Sequence, residues 1–148
     1  MLYLSLMLAS SIEMECLWKN AYFESRNQSD AGITAVTHVV LNRIQSDKFP
    51  DTVCDVTQQT KRNSLGQIIR NKCQFSWYCD GLSDRPREED AYNHIKKVVT
   101  AAKRMYLDEY DLSYGSTYYH AKTVEPYWAD SFEYVMQIDD HLFYREAK

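Results

Sequence analysis

The sequence predicts a mainly helical domain of the α+β kind, with a few short strands or extended aromatic segments in its C-terminal third. Three observations carry this. Apolar residues recur at helical spacing in separate stretches: Leu17 and Ala21, then Ile33, Val36, Val40 and Ile44, then Ile95, Val98, Val99, Ala102 and Met105. After Asp108 the pattern turns aromatic and β-prone, in Thr117-Tyr-Tyr-His120, Tyr134-Val-Met136 and His141-Leu-Phe-Tyr144. With 148 residues and no repeat or linker, the chain is expected to be a single domain over 1–148, large enough to bury a core.

The first helix is expected from about Ser11 to Arg26, opened by Ser10 and Glu13 at capping-box spacing. Ser29 or Asp30 caps the next, which runs to about Gln45, so the two form an αα-hairpin. Phe49-Pro-Asp51 breaks that helix, and Asp51 or Thr52 starts a short one through Val53 and Val56. Residues Gln58 to Lys72 show no period and read as a loop, with at most a brief helical turn. Ser83 to Pro86 is expected to open the third long helix, with Pro86 in its first turn, where a missing N–H costs nothing. Glu88, Glu89 and Asp90 suit its N-terminal dipole, and Lys103 and Arg104 its C-terminal one.

Composition narrows the function. A net charge of −4 argues against a nucleic-acid partner, which normally leaves a basic stripe. The apolar run Met1–Ser11 is too short to span a bilayer, so no integral membrane segment is expected. It also lacks the basic start of a secretory signal, although Ala9-Ser10-Ser11 is a tolerable cleavage context, and it is expected to fold with the domain. Four cysteines (Cys16, Cys54, Cys73, Cys79) allow three pairings; Cys73 and Cys79 could bridge a loop, and reduced thiols fit equally well. With no Cys-x-x-Cys and scattered histidines, neither a metal nor another cofactor is expected.

The chemistry gathers around one carboxylate. Leu17, Ala21 and Glu24 follow the i, i+4, i+7 rule, so the acid ends an apolar stripe beside Tyr22 and Phe23. Burial among rings and a place near a helix C-terminus both raise a carboxyl pKa. A glycosidase general acid needs that state at neutral pH. Two later stretches mix rings with hydrogen-bonding groups, as saccharide sites do: Cys73-Gln-Phe-Ser-Trp-Tyr-Cys-Asp-Gly81 and Tyr118-Tyr-His-Ala-Lys122. Either could equally be a core strand with its polar atoms satisfied internally.

Leu17-Trp-Lys-Asn-Ala-Tyr-Phe-Glu-Ser-Arg26 resembles the Ala-x-x-x-Tyr-x-Glu-Ala-Arg signature of bacterial cell wall hydrolases of the spore cortex-lytic (SleB) type. Ala35-Val-Thr-His-Val-Val-Leu-Asn-Arg43 is similar to the block that follows. Phe49-Pro-Asp-Thr-Val-Cys54, Cys73-Gln-Phe-Ser-Trp77 with Cys79-Asp-Gly81, Tyr118-Tyr-His-Ala121 and His141-Leu-Phe-Tyr-Arg145 resemble later blocks in the same order. The resemblance implies a lysozyme-like domain that cuts the glycan strand of peptidoglycan, with Glu24 as the catalytic acid. Where the family commonly has Arg-Gly-Glu, this chain has Arg26-Asn27-Gln28, so Glu24 is the only acid left in the motif.

The route the resemblance implies is lytic transglycosylation between N-acetylmuramic acid and N-acetylglucosamine. Glu24 serves there as acid and then base, giving a 1,6-anhydro product without water. Gln74, Ser76, Trp77, Tyr118, Tyr119 and His120 are expected to bind substrate or stabilise charge, with Arg26 orienting the loop after Glu24. The rival is a hydrolytic muramidase using Glu24 with Asp80 or Asp111. Further rivals are a cysteine peptidase or amidase built on Cys73 or Cys79 with His120, and a non-catalytic peptidoglycan-binding module. The only partner expected is peptidoglycan, met as a monomer. The enzyme would wait in the cytoplasm until lysis if phage-encoded, and otherwise act in the cell envelope.

Overall fold

The computed structural model describes residues 10–147. The expected fold of the first nine residues therefore lies outside the described residues. Helices α1 (Ser11–Ser25), α2 (Asp30–Gln45) and α3 (Val53–Thr57) come first, then a hairpin of β1 (Thr60–Arg62) and β2 (Ile68–Cys73). A 3₁₀ turn at Ser76–Cys79 leads to α4 (Glu89–Leu107), and β3 (Tyr118–Ala121), β4 (Glu133–Ile138) and β5 (His141–Arg145) close the chain.

Helix α2 is the centre. Ile33, Ala35, Val36, Val39, Val40 and Leu41 are all buried, so its apolar surface is not a stripe but nearly the whole circumference. Such a helix must be covered on all sides. α1, α3 and α4 pack on it from one side, and the C-terminal sheet from the other. That sheet is antiparallel in the order β3-β5-β4, with Phe143 of the central strand against Ala35, Val36 and Val39. Truncating Phe143 to Ala would cost about 3–5 kcal/mol, as for other fully buried rings.

The N-terminus of α2 is tied down twice. The Ser29 hydroxyl accepts from the Gly32 amide, while Ser29 N–H and Oγ–H both donate to Asp139 in the β4–β5 turn. Asp139 holds a left-handed backbone with φ of 50°. The approach is so close that a Cβ on Gly32 would sit 2.5 Å from the Asp139 carboxylate, which would have to shift to admit any larger residue. Gln28 clamps the same turn: its amide N–H donates to the Asp140 carboxylate and its carbonyl accepts the Asp140 N–H. A glutamate at 28 would lose the donor and face two aspartates, which explains why glutamine suits this chain.

Three expectations are corrected here, and the open question of the cysteines is answered. Ser10 does precede α1 with extended backbone, but its hydroxyl makes no capping bond. Glu13 instead accepts from the Cys54 N–H, a free amide in the first turn of α3. Residues Gln58 to Lys72 contain a hairpin rather than a loop. Both of its faces are exposed, so no period-2 pattern marks it, and the Asn63 carboxamide oxygen fixes its turn by accepting from the Leu65 and Gln67 amides. Helix α4 begins at Glu89 and leaves Pro86 outside. The residue before a proline avoids the helical region, and the Glu88 N–H is taken by the Tyr22 hydroxyl, which holds that approach extended. Finally, all four cysteines are paired, Cys16 with Cys54 and Cys73 with Cys79.

Candidate active site

Glu24 sits one residue before the end of α1, where the chain turns toward α2. Its carboxyl is half-buried and accepts a 2.8 Å hydrogen bond at Oε1 from the Tyr119 hydroxyl. Burial raises its pKa; the Tyr119 bond and the positive charge of Arg43 pull the other way without cancelling it. The result is a carboxyl that resists ionisation yet has two groups ready to stabilise its anion.

Tyr119 reaches Glu24 because side chains alternate along β3. Tyr118 and His120 lie against Phe132 and Tyr144, whereas Tyr119 turns inward onto Phe75, His141 and Phe143. Burial and the neighbouring Glu24 hold the Tyr119 pKa well above the phenolic range, so it stays a proton donor in its hydrogen bond.

The strand is positioned by two adjacent residues of α2. Asn42 donates to Asp111, Ser113 and the Ser116 carbonyl, and accepts from the Tyr106 hydroxyl. Arg43 donates from Nε to the Thr117 carbonyl at 2.7 Å. Together they fasten the segment that enters β3. Arg43 is only 4% exposed, and its guanidinium lies over the rings of Phe49, Phe75 and Tyr118 at 4.8, 4.9 and 5.4 Å. Desolvation lowers its pKa, opposed by Tyr119, Tyr118 and Glu24. Its Nη1 has no hydrogen-bond partner among the described residues. A buried orphan donor is costly, which marks the arginine as held for its charge.

In front of these groups opens a cleft of about 590 Å³. Arg43, Tyr118 and Tyr119 form one part of its lining, Gln59 and Gln74 another, and Tyr127 and Trp128 stand at its aromatic wall. No aspartate or glutamate is among the lining residues. Tyr127 is 95% exposed, an open ring face beside the cleft.

The residues singled out from sequence fall into three groups. Tyr118, Tyr119 and Gln74 line this cleft, and Glu24 is joined to it through the Tyr119 hydroxyl. Trp77 belongs to the core, stacked on Phe23 with its indole N–H donated to Asn20. Exposed Ser76 begins the 3₁₀ turn and does not line the cleft. His120 stacks on Tyr144, with Nε2 3.0 Å from the Tyr144 hydroxyl and Nδ1 2.8 Å from the Ala121 carbonyl. Arg26 turns away, over the Tyr22 ring and 3.5 Å from Glu88, into a second cleft that also holds Asp80.

Sequence reasoning missed Arg43, Gln59, Phe49, Tyr127 and Phe132 as site residues. Arg43 carried a readable signal: it falls three and seven residues after Val40 and Val36, on the apolar face of α2.

The candidate second carboxylates are otherwise engaged. Asp111 accepts from Asn42, from the amides of Ser113 and Gly115 and from the Ser113 hydroxyl, and so organises the loop before β3. Asp80 accepts from the Leu82 amide beside the second cleft. With both cysteines of Cys73–Cys79 in a disulfide, no thiol serves His120 as a nucleophile.

A half-dry acid beside an open aromatic cleft, on a helical scaffold, defines a glycoside-cleaving enzyme as the class. The chain belongs to the cell wall hydrolases, whose family model matches residues 27–144, and is an enzyme of peptidoglycan cleavage. That match begins just past Glu24. The fold is similar to the catalytic domain of the germination-specific lytic transglycosylase SleB from Bacillus anthracis, with TM-score 0.69 and 25% identity over 92% of this chain and 96% of that one. It is also similar to the catalytic domain of the Bacillus cereus SleB protein, with TM-score 0.65 and 24% identity over 92% and 91% of the two chains. No curated protein sequence matches.

Proposed function

We propose that this single-domain, monomeric enzyme is a lytic transglycosylase that cuts between N-acetylmuramic acid and N-acetylglucosamine, with Glu24 as its only acid and base. The observation that carries the reading is the half-buried Glu24–Tyr119 pair, whose tyrosine lines a cleft that has no aspartate or glutamate in its lining. Its likeness to a SleB lytic transglycosylase catalytic domain supports the same route.

In the resting state burial favours the neutral form of Glu24. Tyr119 occupies Oε1, which leaves Oε2 to carry the proton. That proton passes to the glycosidic oxygen as the bond from the muramic C1 breaks. Glu24 is now an anion in a half-dry site, and the Tyr119 hydrogen bond and the Arg43 charge offset the cost of burying it. The carboxylate then removes the proton of the muramic C6 hydroxyl, O6 closes on C1, and the 1,6-anhydro ring forms. Glu24 recovers its proton and no water is consumed.

Tyr118, Gln74, Gln59 and the open Tyr127 ring are assigned to holding the sugars, since stacking rings and a few placed amides are what saccharide recognition requires. The enzyme acts on the bacterial cell wall, and its two disulfides suit an oxidising envelope compartment. Clearing of purified walls by the native protein and not by Glu24→Gln tests the reading. Clearing by both would remove Glu24 from the chemistry.

A further inference from the structure

Charge is distributed unevenly along this acidic chain. Between Asp55 and Asp80 there is no acidic residue, yet the segment carries Lys61, Arg62, Arg70 and Lys72, in a protein of net charge −4. All four lie on the β1–β2 hairpin, whose residues 61–72 are exposed throughout. None of the four forms an ion pair among the described residues: Arg62 donates to the Gly66 carbonyl and Arg70 to the Asp80 carbonyl, both neutral acceptors.

The base of the hairpin is set against the cleft. Gln59 and Gln74 flank it, joined by a 3.0 Å hydrogen bond from the Gln74 N–H to the Gln59 carbonyl, and both line the cleft. The Cys73–Cys79 disulfide ties the same base to the 3₁₀ turn, which Trp77 anchors in the core. The cations thus rise from a fixed edge of the cleft on strands about 3.3 Å long per residue. A polymer lying in the cleft would place its side groups on them.

We propose that the β1–β2 hairpin is a second binding surface, which holds the carboxylates of the peptides attached to muramic acid while the glycan lies in the cleft. This rests on the proposed function, because only a peptidoglycan strand brings such peptides to this edge. Unpaired cations beside a cleft attract an anionic partner at long range and lose that attraction as salt screens them.

The test measures binding of the full chain carrying Glu24→Gln, which leaves the ligand intact. The ligands are purified sacculi, the same glycan strands stripped of peptides by an amidase, and anionic phospholipid vesicles. The expected result is binding to sacculi that weakens between about 0.05 and 0.5 M salt. The combined Lys61→Glu, Arg62→Glu, Arg70→Glu, Lys72→Glu variant should lose about tenfold in affinity for sacculi, and nothing for stripped strands. Glutamates keep the exposed strand edges charged, so edge-to-edge association does not confuse the comparison. Lys61→Glu with Lys72→Glu alone leaves the Arg62 and Arg70 hydrogen bonds in place and should lose about threefold. Equal losses on intact and stripped strands, or an effect confined to vesicles, would overturn the proposal. Failure of the parent protein to bind sacculi at all would instead count against the proposed function.

Discussion

Arg43 lines one cleft and Arg26 another, and these two arginines are used in opposite ways. Arg43 is 4% exposed, roofed by three rings and close enough to Glu24 to influence its protonation. Arg26 is exposed and pairs with a still more exposed Glu88 across 3.5 Å, where water screens both. The same side chain is an electrostatic tool in one cleft and a surface group in the other. Burial makes the difference, because charge interactions strengthen as water is removed.

If that contrast is right, effects should fall in a definite order. Glu24→Gln keeps the shape and removes the acidic proton, so peptidoglycan cleavage should drop by about 10²–10⁴-fold in turbidity assays. Arg43→Gln is next, with a loss of about 10²-fold, since it removes the buried charge that stabilises the Glu24 anion. Tyr119→Phe should cost about tenfold and shift the pH profile.

The sign of that shift follows from the site. In the proposed mechanism protonated Glu24 is the active form, so rate falls as pH rises through its pKa. The Tyr119 bond lowers that pKa, and removing it raises the value further, so the falling limb of kcat/KM against pH should move to higher pH. Arg43→Gln should move it in the same direction. A limb that stays put in both variants would mean that another group controls it. In the second cleft, Arg26→Ala and Asp80→Asn should each change the rate by less than about threefold.

Stability offers an independent check. The folded Glu24 has a pKa above its ordinary value of 4.5, so its neutral form is favoured by folding. That contribution is full below about pH 4.5 and is lost as pH rises through the folded value. Glu24→Gln stays neutral throughout, so its melting temperature relative to the native protein should increase between pH 4 and pH 8.

The long helices were legible by their period, and α2 by its cap as well, bounded by Ser29 just as the sequence suggests. Glu24 was legible for the same reason, as an acid at the end of an apolar stripe. The hairpin was not, since a strand exposed on both faces has no alternation to read. Trp77 and Tyr119 show the limit for sites. Both are rings in stretches dense with polar groups, yet one packs in the core against Phe23 and the other donates to Glu24. Which one faces the acid depends on strand register and on Arg43 fastening Thr117, contacts between residues far apart in sequence.

The central claim is that one carboxyl does both proton transfers and that water takes no part. Digesting purified peptidoglycan in ¹⁸O-labelled water and weighing the fragments by mass spectrometry tests it most directly. The account predicts 1,6-anhydromuramic ends free of label. Reducing muramic ends carrying ¹⁸O would contradict it.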